Sequence, residues 1–192
     1  MPDPIQFPSN EPTLASRSIF KGRVVGLRVD DVRLPDGKTG TREIIEHADA
    51  VVVAPLDAKG RVLLVRQYRK PIEQALLELP AGGLDGNESP ADGAIRELQE
   101  EIGHYPGTLT PLGGFYAAPG YCQEFLHLFL ATDLRPSKLA HDEDEHIEVE
   151  TVPLDEALAM VESGAIRDAK SVAGLLRVWR HLMRAERPDG GS

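Results

Sequence analysis

The sequence predicts a mixed α/β fold, either an α+β arrangement or an α/β/α sandwich around a mixed sheet. The main observation is that strand patterns come before, between and after the helical patterns. The length of 192 residues is enough for one sizeable core, or for one core with a small extension. Hydrophobic residues make up 41% and charged residues 27%, a composition that argues against a disordered chain.

An N-terminal β extension is predicted over residues 1–48. Residues 1–14 are rich in proline and are expected to form a loose arm. From Ser18 to His47 the pattern indicates strands on either side of a turn at Pro35-Asp36-Gly37. An Asp-Gly step between β-compatible runs is typical of an antiparallel hairpin.

A second region, residues 49–185, begins with two predicted strands. Ala50–Leu56 is a continuous apolar run, as expected of a strand that is buried on both faces. Arg61–Arg69 is the next strand, and the turn Asp57–Gly60 between them predicts that the two strands pair as a hairpin. A Gly-rich segment, Ala81–Gly86, follows.

The first helix is marked at both ends. Ser89 suits the N-cap, Pro90 suits the first helical position, and Gly103 stops the helix. The later elements are predicted as strands at Leu109–Tyr116, Phe125–Thr132 and Ile147–Val152, a helix from Pro153 to about Gly164, a helix over Ser171–Arg184, and a frayed tail over 186–192.

Composition and charge restrict the environment and the partners. The net charge of −10 disfavours binding to nucleic acids or to anionic membranes. No apolar run approaches the roughly 18 residues that a membrane span needs, and the N-terminus has no signal-peptide pattern. The single cysteine, Cys122, excludes an intramolecular disulfide and fits a reducing cytoplasm; no histidine pattern marks it as a catalytic thiol.

Three carboxylates of the first helix suggest a metal site. On a helical wheel, Ala91, Ile95, Leu98 and Ile102 form an apolar stripe, and Glu97, Glu100 and Glu101 project from nearly the opposite side. A solvated acidic face is the simpler interpretation. However, Glu97 and Glu101 repel each other across one helical turn, and a divalent cation such as Mg²⁺ would reverse that repulsion.

The segment before the helix favours the metal site. Gly82, Glu88 and the run from Arg96 to Gly103 stand at the spacing of a known signature. In these residues the chain resembles the box of the Nudix hydrolases, except that His104 replaces the usual aliphatic residue at the last position. The resemblance implies a Nudix-type α/β/α sandwich with an N-terminal antiparallel β extension. The departure at His104 affects local packing more than catalysis.

The resemblance also implies roles for the residues of the box. Glu97, Glu100 and Glu101 would bind Mg²⁺, or Mn²⁺, with the Ala81 carbonyl as a further ligand and Glu88 on the metal side. Arg96 would pair with the box carboxylates and hold the loop against the helix. Gly82 and Gly83 would bring the backbone close to metal and phosphate, and the metal would activate a water that attacks phosphorus.

Three further features resemble the subgroup of ADP-sugar pyrophosphatases. Pro119 lies fifteen residues after the box ends at His104, although a plain Pro-Gly turn would also explain it. Arg69 stands where the subgroup has a phosphate-binding arginine, a role that suits a planar guanidinium. The extension corresponds to a region that exchanges between two subunits in the subgroup, which implies a homodimer. Arg42 and Glu43 are then the candidates for base contacts, with an ordinary exposed strand pair as the alternative.

The acidic loop 141–146 is the last candidate. It is most simply a solvated charge run. The resemblance nevertheless implies a catalytic glutamate just before the strand at Ile147, which selects Glu145 as the general base, with Glu143 second. His141 and His146 are expected to face solvent, because Mg²⁺ prefers oxygen ligands.

The expected reaction is the hydrolysis of a nucleoside diphosphate sugar, with ADP-ribose converted to AMP and ribose 5-phosphate. A GDP-sugar or broad-specificity pyrophosphatase is the alternative within the same class. A non-catalytic nucleotide sensor is the alternative from another class, and the complete box argues against it. Hydrolysis of RNA caps or oligonucleotides is disfavoured by the charge of −10 and the absence of a basic stripe.

Overall fold

A computed structural model describes residues 10–140 and 147–185 of the chain. Its strands are β1 (Thr13–Lys21), β2 (Gly26–Arg33), β3 (Thr39–Glu46), β4 (Ala50–Pro55), β5 (Arg61–Arg69), β6 (Gln74–Glu78), β7 (Ala81–Gly83), β8 (His104–Tyr105), β9 (Thr108–Tyr116), β10 (Phe125–Thr132), β11 (Arg135–Pro136) and β12 (Ile147–Pro153). Its helices are α1 (Pro90–Glu101), α2 (Leu154–Glu162) and α3 (Ala169–Ala185). The chain divides into two compact units.

The first unit comprises Met1–Ala48 together with Ala118–Glu124. Strands β1, β2 and β3 form an antiparallel sheet in this order, so the predicted hairpin at Pro35-Asp36-Gly37 is confirmed. The prediction that the loose arm extends to residue 14 is wrong, because β1 begins at Thr13 and pairs with Val32 of β2. The apolar residues of β1 come in adjacent pairs and do not alternate with polar ones, so the sequence had no strand periodicity to reveal it.

The second unit comprises Asp49–Ala117 and Phe125–Ser192. It contains a mixed sheet in the order β7-β4-β10-β9, an antiparallel sheet in the order β12-β5-β6, and a short β8-β11 pair. Both predicted strands β4 and β5 are present, but the prediction that they form a hairpin is wrong. They belong to different sheets and share only an isolated bridge between Leu56 and Val62. Strand β4 instead pairs in parallel with β10.

Strand β4 separates two apolar layers. Val52 and Ala54 point into a core shared with Leu128, Leu175 and other residues of α2, α3 and the neighbouring strands. Val51 and Val53 point the other way, into a second core that contains Ala94 and Leu98 of α1. Because successive strand residues alternate between faces, this continuous apolar strand is covered by helices on both sides. The α/β/α sandwich around a mixed sheet is thereby confirmed.

Helix α1 has the predicted ends. The Ser89 hydroxyl accepts a hydrogen bond from the Asp92 backbone N–H at 3.2 Å, Pro90 opens the helix, and Gly103 adopts a positive φ of 68° beyond its end. The predicted apolar stripe is partly wrong. Ala91 is exposed and Ile95 only half-buried, whereas Ala94, Leu98 and Ile102 reach the core.

Among the described residues, no helix is long and apolar enough to cross a membrane.

Candidate active site

A short strand and a helix bring the residues of the box together in the second unit. Strand β7 carries Ala81, Gly82 and Gly83 and pairs with the start of β4, and the loop after it leads through Glu88 into α1. The backbone of Gly82 lies directly against the Glu97 carboxylate, because a Cβ on Gly82 would be 2.5 Å from Oε2 of Glu97. A side chain at this position would displace the Glu97 carboxylate. The strand thereby lines the acidic side of the helix.

Arg96 is the centre of the acidic cluster. Its Nε and Nη2 atoms donate to the two oxygens of Glu88, each at 3.0 Å. Its Nη1 donates to Glu97 at 2.6 Å and to Glu100 at 2.8 Å, and its Nη2 also donates to the Gly83 carbonyl at 2.9 Å. Arg96 therefore makes the contacts that the resemblance implies: it pairs with box carboxylates and ties the Gly-rich loop to the helix.

These contacts perturb the titration of both partners. The hydrogen bond from Arg96 holds the pKa of Glu88 below its ordinary value, although partial burial acts in the opposite direction. The same hydrogen bond, with those to Glu97 and Glu100, raises the pKa of Arg96 above its ordinary value. The guanidinium and the carboxylate of Glu88 are therefore both charged at neutral pH.

Burial of two carboxylates differs from the sequence expectation. Glu97 is only 7% exposed and Glu101 only 4%, so they do not form a solvated face opposite the core. The helical wheel placed them away from the apolar stripe, but β7 covers this side of the helix. The backbone N–H of Ala81 donates to Oε2 of Glu101 at 3.0 Å. Glu100 is half-buried and is therefore the most accessible of the three carboxylates of α1.

The residues of this cluster fit Mg²⁺ by their chemistry. They supply carboxylate oxygens and a backbone carbonyl, which are the ligands that a hard cation prefers. Burying carboxylates of like charge is costly unless cations compensate, and the charge of Arg96 is shared by Glu88, Glu97 and Glu100. Within the described part of the chain, no three acidic, imidazole or thiol groups already stand in a metal-binding arrangement. Glu88, Glu97 and Glu100 each bind Arg96 in this geometry.

Arg69 stands at the end of β5 and is held by a buried glutamate. Its Nε donates to Oε1 of Glu78 at 2.9 Å and its Nη2 to Oε2 at 2.7 Å. Glu78 is 1% exposed and also contacts Lys170 of α3. Burial raises the pKa of Glu78, but the hydrogen bonds and charges of Arg69 and Lys170 outweigh it and lower the pKa below its ordinary value. The pair is therefore charged, and the Arg69 side chain is still about a third exposed, at 38%.

Three residues of this second cluster could not be identified as site residues from the sequence: Glu78, Asp168 and Lys170. Glu78 and Lys170 are 92 residues apart in the chain. A buried charged residue in the apolar run Leu76–Pro80 is the only signal that could have drawn attention to Glu78. Nothing in the sequence indicates which cations meet it, since their approach depends on how α3 packs.

The remaining predicted substrate residues lie in the first unit. Arg42 of β3 pairs with Glu11 through Nε at 2.8 Å and Nη2 at 2.5 Å. Glu43 stands opposite Val29 in the β2–β3 ladder. Pro119 belongs to the segment that joins this unit, which the sequence did not predict.

Two backbone hydrogen bonds attach the Pro119 segment to β3. The Ile45 N–H donates to the Tyr121 carbonyl at 2.7 Å, and the Gln123 N–H donates to the Ile45 carbonyl at 3.3 Å. Glu145, the expected general base, lies outside the described residues, as do Glu143, His141 and His146. The tail 186–192 is also outside them.

Family models match both parts of the chain. The NUDIX domain model matches residues 46–175, and the model for a nucleoside diphosphate sugar hydrolase N-terminal domain matches residues 11–45. Among solved structures, one entitled "Crystal structure of ADP compounds hydrolase" superimposes with a TM-score of 0.84 at 26% identity. This match covers 94% of this chain and 98% of the other.

Relatives of known name share most of the chain. The ADP-ribose pyrophosphatase of Bacillus subtilis is 44% identical over 84% of this chain and 88% of its own length. The methanol dehydrogenase activator of Bacillus methanolicus is 42% identical over 84% and 89%. The GDP-mannose pyrophosphatase of Yersinia enterocolitica is 35% identical over 72% and 79%. With its signature box, its sandwich fold and these matches, the chain belongs to the Nudix family.

Proposed function

We propose that this protein hydrolyses the diphosphate bond of a nucleoside diphosphate sugar, with ADP-ribose converted to AMP and ribose 5-phosphate. The observation that carries the proposal is the acidic cluster of Glu88, Glu97 and Glu100 around Arg96, against the glycine backbone of Gly82. A relative at 44% identity over most of the chain bears the name ADP-ribose pyrophosphatase, which supports this substrate.

The proposed cofactor is Mg²⁺, with Mn²⁺ as a substitute. Glu97, Glu100, Glu101 and the Ala81 carbonyl would hold it, and Glu88 would stand beside them. When bound, such a cation neutralises diphosphate oxygens and lowers the pKa of a coordinated water. Arg96 holds Glu88, Glu97 and Glu100 around one guanidinium and binds the Gly83 carbonyl, so that the loop and the helix keep one geometry.

Two further residues act on the diphosphate in this proposal. Arg69 binds a phosphate through the part of its guanidinium that Glu78 does not use. Glu145 takes the proton from the attacking water, on a loop that would close over the substrate. Replacing Glu145 by glutamine is expected to depress kcat strongly and to leave Mg²⁺ affinity nearly unchanged. Full turnover in that variant would remove Glu145 from the mechanism.

The N-terminal extension is proposed to contribute to substrate specificity and to dimer formation. Arg42 and Glu43 are proposed to contact the adenine, and Pro119 to line the same side. We propose a homodimer in which the extension reaches the partner subunit. The all-exposed strand β1, with Ile19 and Phe20 more than half exposed, is suited to such an interface. A cytoplasmic location without nucleic-acid or membrane partners agrees with the single cysteine and the charge of −10.

Two alternatives are tied to specific relatives. A GDP-sugar substrate is favoured by the relative named GDP-mannose pyrophosphatase, which is 35% identical. Activation of another enzyme is favoured by the relative named methanol dehydrogenase activator, which is 42% identical. This second alternative is compatible with a hydrolytic site, whereas the non-catalytic sensor is not favoured by a complete box.

A substrate panel tests the proposal. ADP-ribose, GDP-mannose, a diadenosine polyphosphate and CoA are each offered with Mg²⁺ and with a chelator, and AMP or the corresponding product is measured. We expect the highest kcat/KM for ADP-ribose and no turnover with the chelator. Preference for GDP-mannose would replace the substrate, and turnover that persists with the chelator would overturn the metal mechanism. Tight ADP-ribose binding without any turnover would favour the sensor.

A further inference from the structure

A hydrogen-bonded cluster at the start of α3 connects this helix to both parts of the candidate site. Asp168 precedes the helix, and its Oδ2 accepts hydrogen bonds from the Ser171 N–H at 3.0 Å and the Ser171 hydroxyl at 2.7 Å. Lys170 donates to the same oxygen at 2.9 Å and also contacts Glu78. Because a carboxylate that caps a helix has a fixed position, the cluster is anchored to the axis of α3.

The first connection leads from this cluster to Arg69. Glu78 is 1% exposed and has Arg69 on one side and Lys170 on the other. A buried carboxylate is stable only when it is fully paired, and the four charges of Arg69, Lys170, Glu78 and Asp168 balance. The cluster can therefore remain charged and rigid inside the protein.

The geometry of the Arg69–Glu78 pair leaves Arg69 able to bind something else. Its Nε and Nη2 are occupied by Glu78, while Nη1 hydrogen-bonds none of the residues that the structure describes. A guanidinium fixed along one edge loses little conformational freedom when its other edge binds a phosphate. The position of Glu78 thus sets the position of the free edge of Arg69.

The second connection leads to the Gly-rich strand. The Ser171 hydroxyl, fully buried, accepts a hydrogen bond from the Leu79 N–H at 2.7 Å. The β5–β6 ladder ends at Glu78, so the Leu79 N–H has no strand partner and needs this side chain. Two residues further on, the Ala81 N–H donates to Glu101 at 3.0 Å. Residues 78–81 are consequently held by α3 at one end and by α1 at the other.

We propose that Asp168, Lys170 and Ser171 are positioning residues of the active site, which fix Arg69 through Glu78 and the Ala81 backbone through Leu79. This inference rests on the proposed function in one respect: the phosphate held by Arg69 belongs to a nucleoside diphosphate sugar. None of the three residues contacts the diphosphate in this scheme. They keep two groups that do, the guanidinium and the β7 backbone, in one arrangement, so that substrate binding does not have to order them.

Four variants test the positioning role. Lys170→Met removes the charge at similar length, and Lys170→Arg keeps it. Glu78→Gln removes the charge that both cations share. The matched control is Glu150→Gln, which removes the glutamate of another Arg–Glu pair on the same sheet, Arg66 with Glu150 at 2.5 Å.

The kinetic readout separates positioning from a purely structural effect. The assay uses ADP-ribose and saturating Mg²⁺. We expect Lys170→Met and Glu78→Gln to raise KM about tenfold or more and to change kcat less than about threefold. The reason is that Arg69 binds the substrate before the reaction. Lys170→Arg and Glu150→Gln are expected to stay within about threefold of the original KM. An unchanged KM in Lys170→Met, or an equal rise in Lys170→Arg, would overturn the inference.

A second readout needs no substrate. The protein is labelled with ¹⁵N-arginine, and the Nε–H signal of Arg69 is assigned by its loss in Arg69→Lys. The hydrogen of this Nε–H should exchange slowly with solvent because it is donated to Glu78. Exchange is expected to be about tenfold faster in Lys170→Met; an unchanged rate would contradict the proposal. If the original protein hydrolyses no nucleoside diphosphate sugar, the proposed function fails while this exchange measurement still decides the positioning role.

Discussion

Replacing Gly82 by alanine is expected to disable the site without unfolding the protein. The added Cβ would stand 2.5 Å from Oε2 of Glu97 and closer still to the other two carboxylate atoms. The φ of Gly82 is not positive, so alanine can adopt the same backbone conformation. The conflict is therefore steric, and it is directed at the side chain of one proposed metal ligand.

The displacement can be worked out from this distance. Ordinary contact between such atoms begins near 3.5 Å, so the carboxylate must move by about 1 Å or more. It is the end of a flexible side chain, so the free energy of unfolding should fall by less than about 2 kcal/mol. A misplacement of about 1 Å in an active-site group can cost about 100-fold in rate, and we expect a loss of that size in kcat/KM if Glu97 binds the metal as proposed.

Gly83 provides the matched control for this prediction. A Cβ on Gly83 would meet nothing within 4 Å, and its φ is likewise not positive. The assay measures hydrolysis of ADP-ribose over a Mg²⁺ titration, with thermal unfolding of Gly82→Ala and Gly83→Ala in parallel. Full activity and an unchanged Mg²⁺ dependence in Gly82→Ala would refute the reasoning, as would an equal loss in Gly83→Ala.

Three further predictions concern the charges and the helix of the site. The pKa of Glu78 is lowered in the folded protein, so its contribution to stability is complete above the ordinary glutamate pKa of about 4.3 and is lost as the pH falls through the folded-state pKa. In urea unfolding, Glu78→Gln should therefore make the loss of stability at acid pH less steep. An equally steep loss would contradict this prediction. Ser89→Ala should lower the free energy of unfolding by about 1 kcal/mol, measured by urea titration, because Asp92 loses its N-cap acceptor; no change would argue against the cap. Glu100→Gln should remain folded by circular dichroism and lose at least about tenfold in kcat/KM with a weaker Mg²⁺ response, whereas full activity would exclude Glu100 as a ligand.

Local features of the fold could be predicted because their causes lie within a few residues. Ser89, Pro90 and Gly103 fix the ends of α1 through caps and backbone preferences that act over one helical turn. The apolar run Ala50–Leu56 predicted a strand covered on both faces, and helices cover both. These interactions are nearly independent of the rest of the chain.

The pairing of β4 could not be predicted in the same way, although the β2–β3 hairpin was. A short turn joins β4 and β5, yet β4 pairs with β7 and β10 and leaves β5 to another sheet. A turn brings two strands close but does not decide which edges form hydrogen bonds. That choice depends on the burial that each strand gains from partners far along the chain.

The sequence alone determined the signature: the glycines, the carboxylates of α1 and the spacing that identifies the box. Only the tertiary structure decided that Glu97 and Glu101 are buried under β7, and that Arg69 is held by Glu78 and, through it, by Lys170. A helical wheel describes one element in isolation, so it cannot show what covers the polar side. Contacts between residues 92 positions apart exist only after the helices have packed on the sheet, because no local preference specifies them.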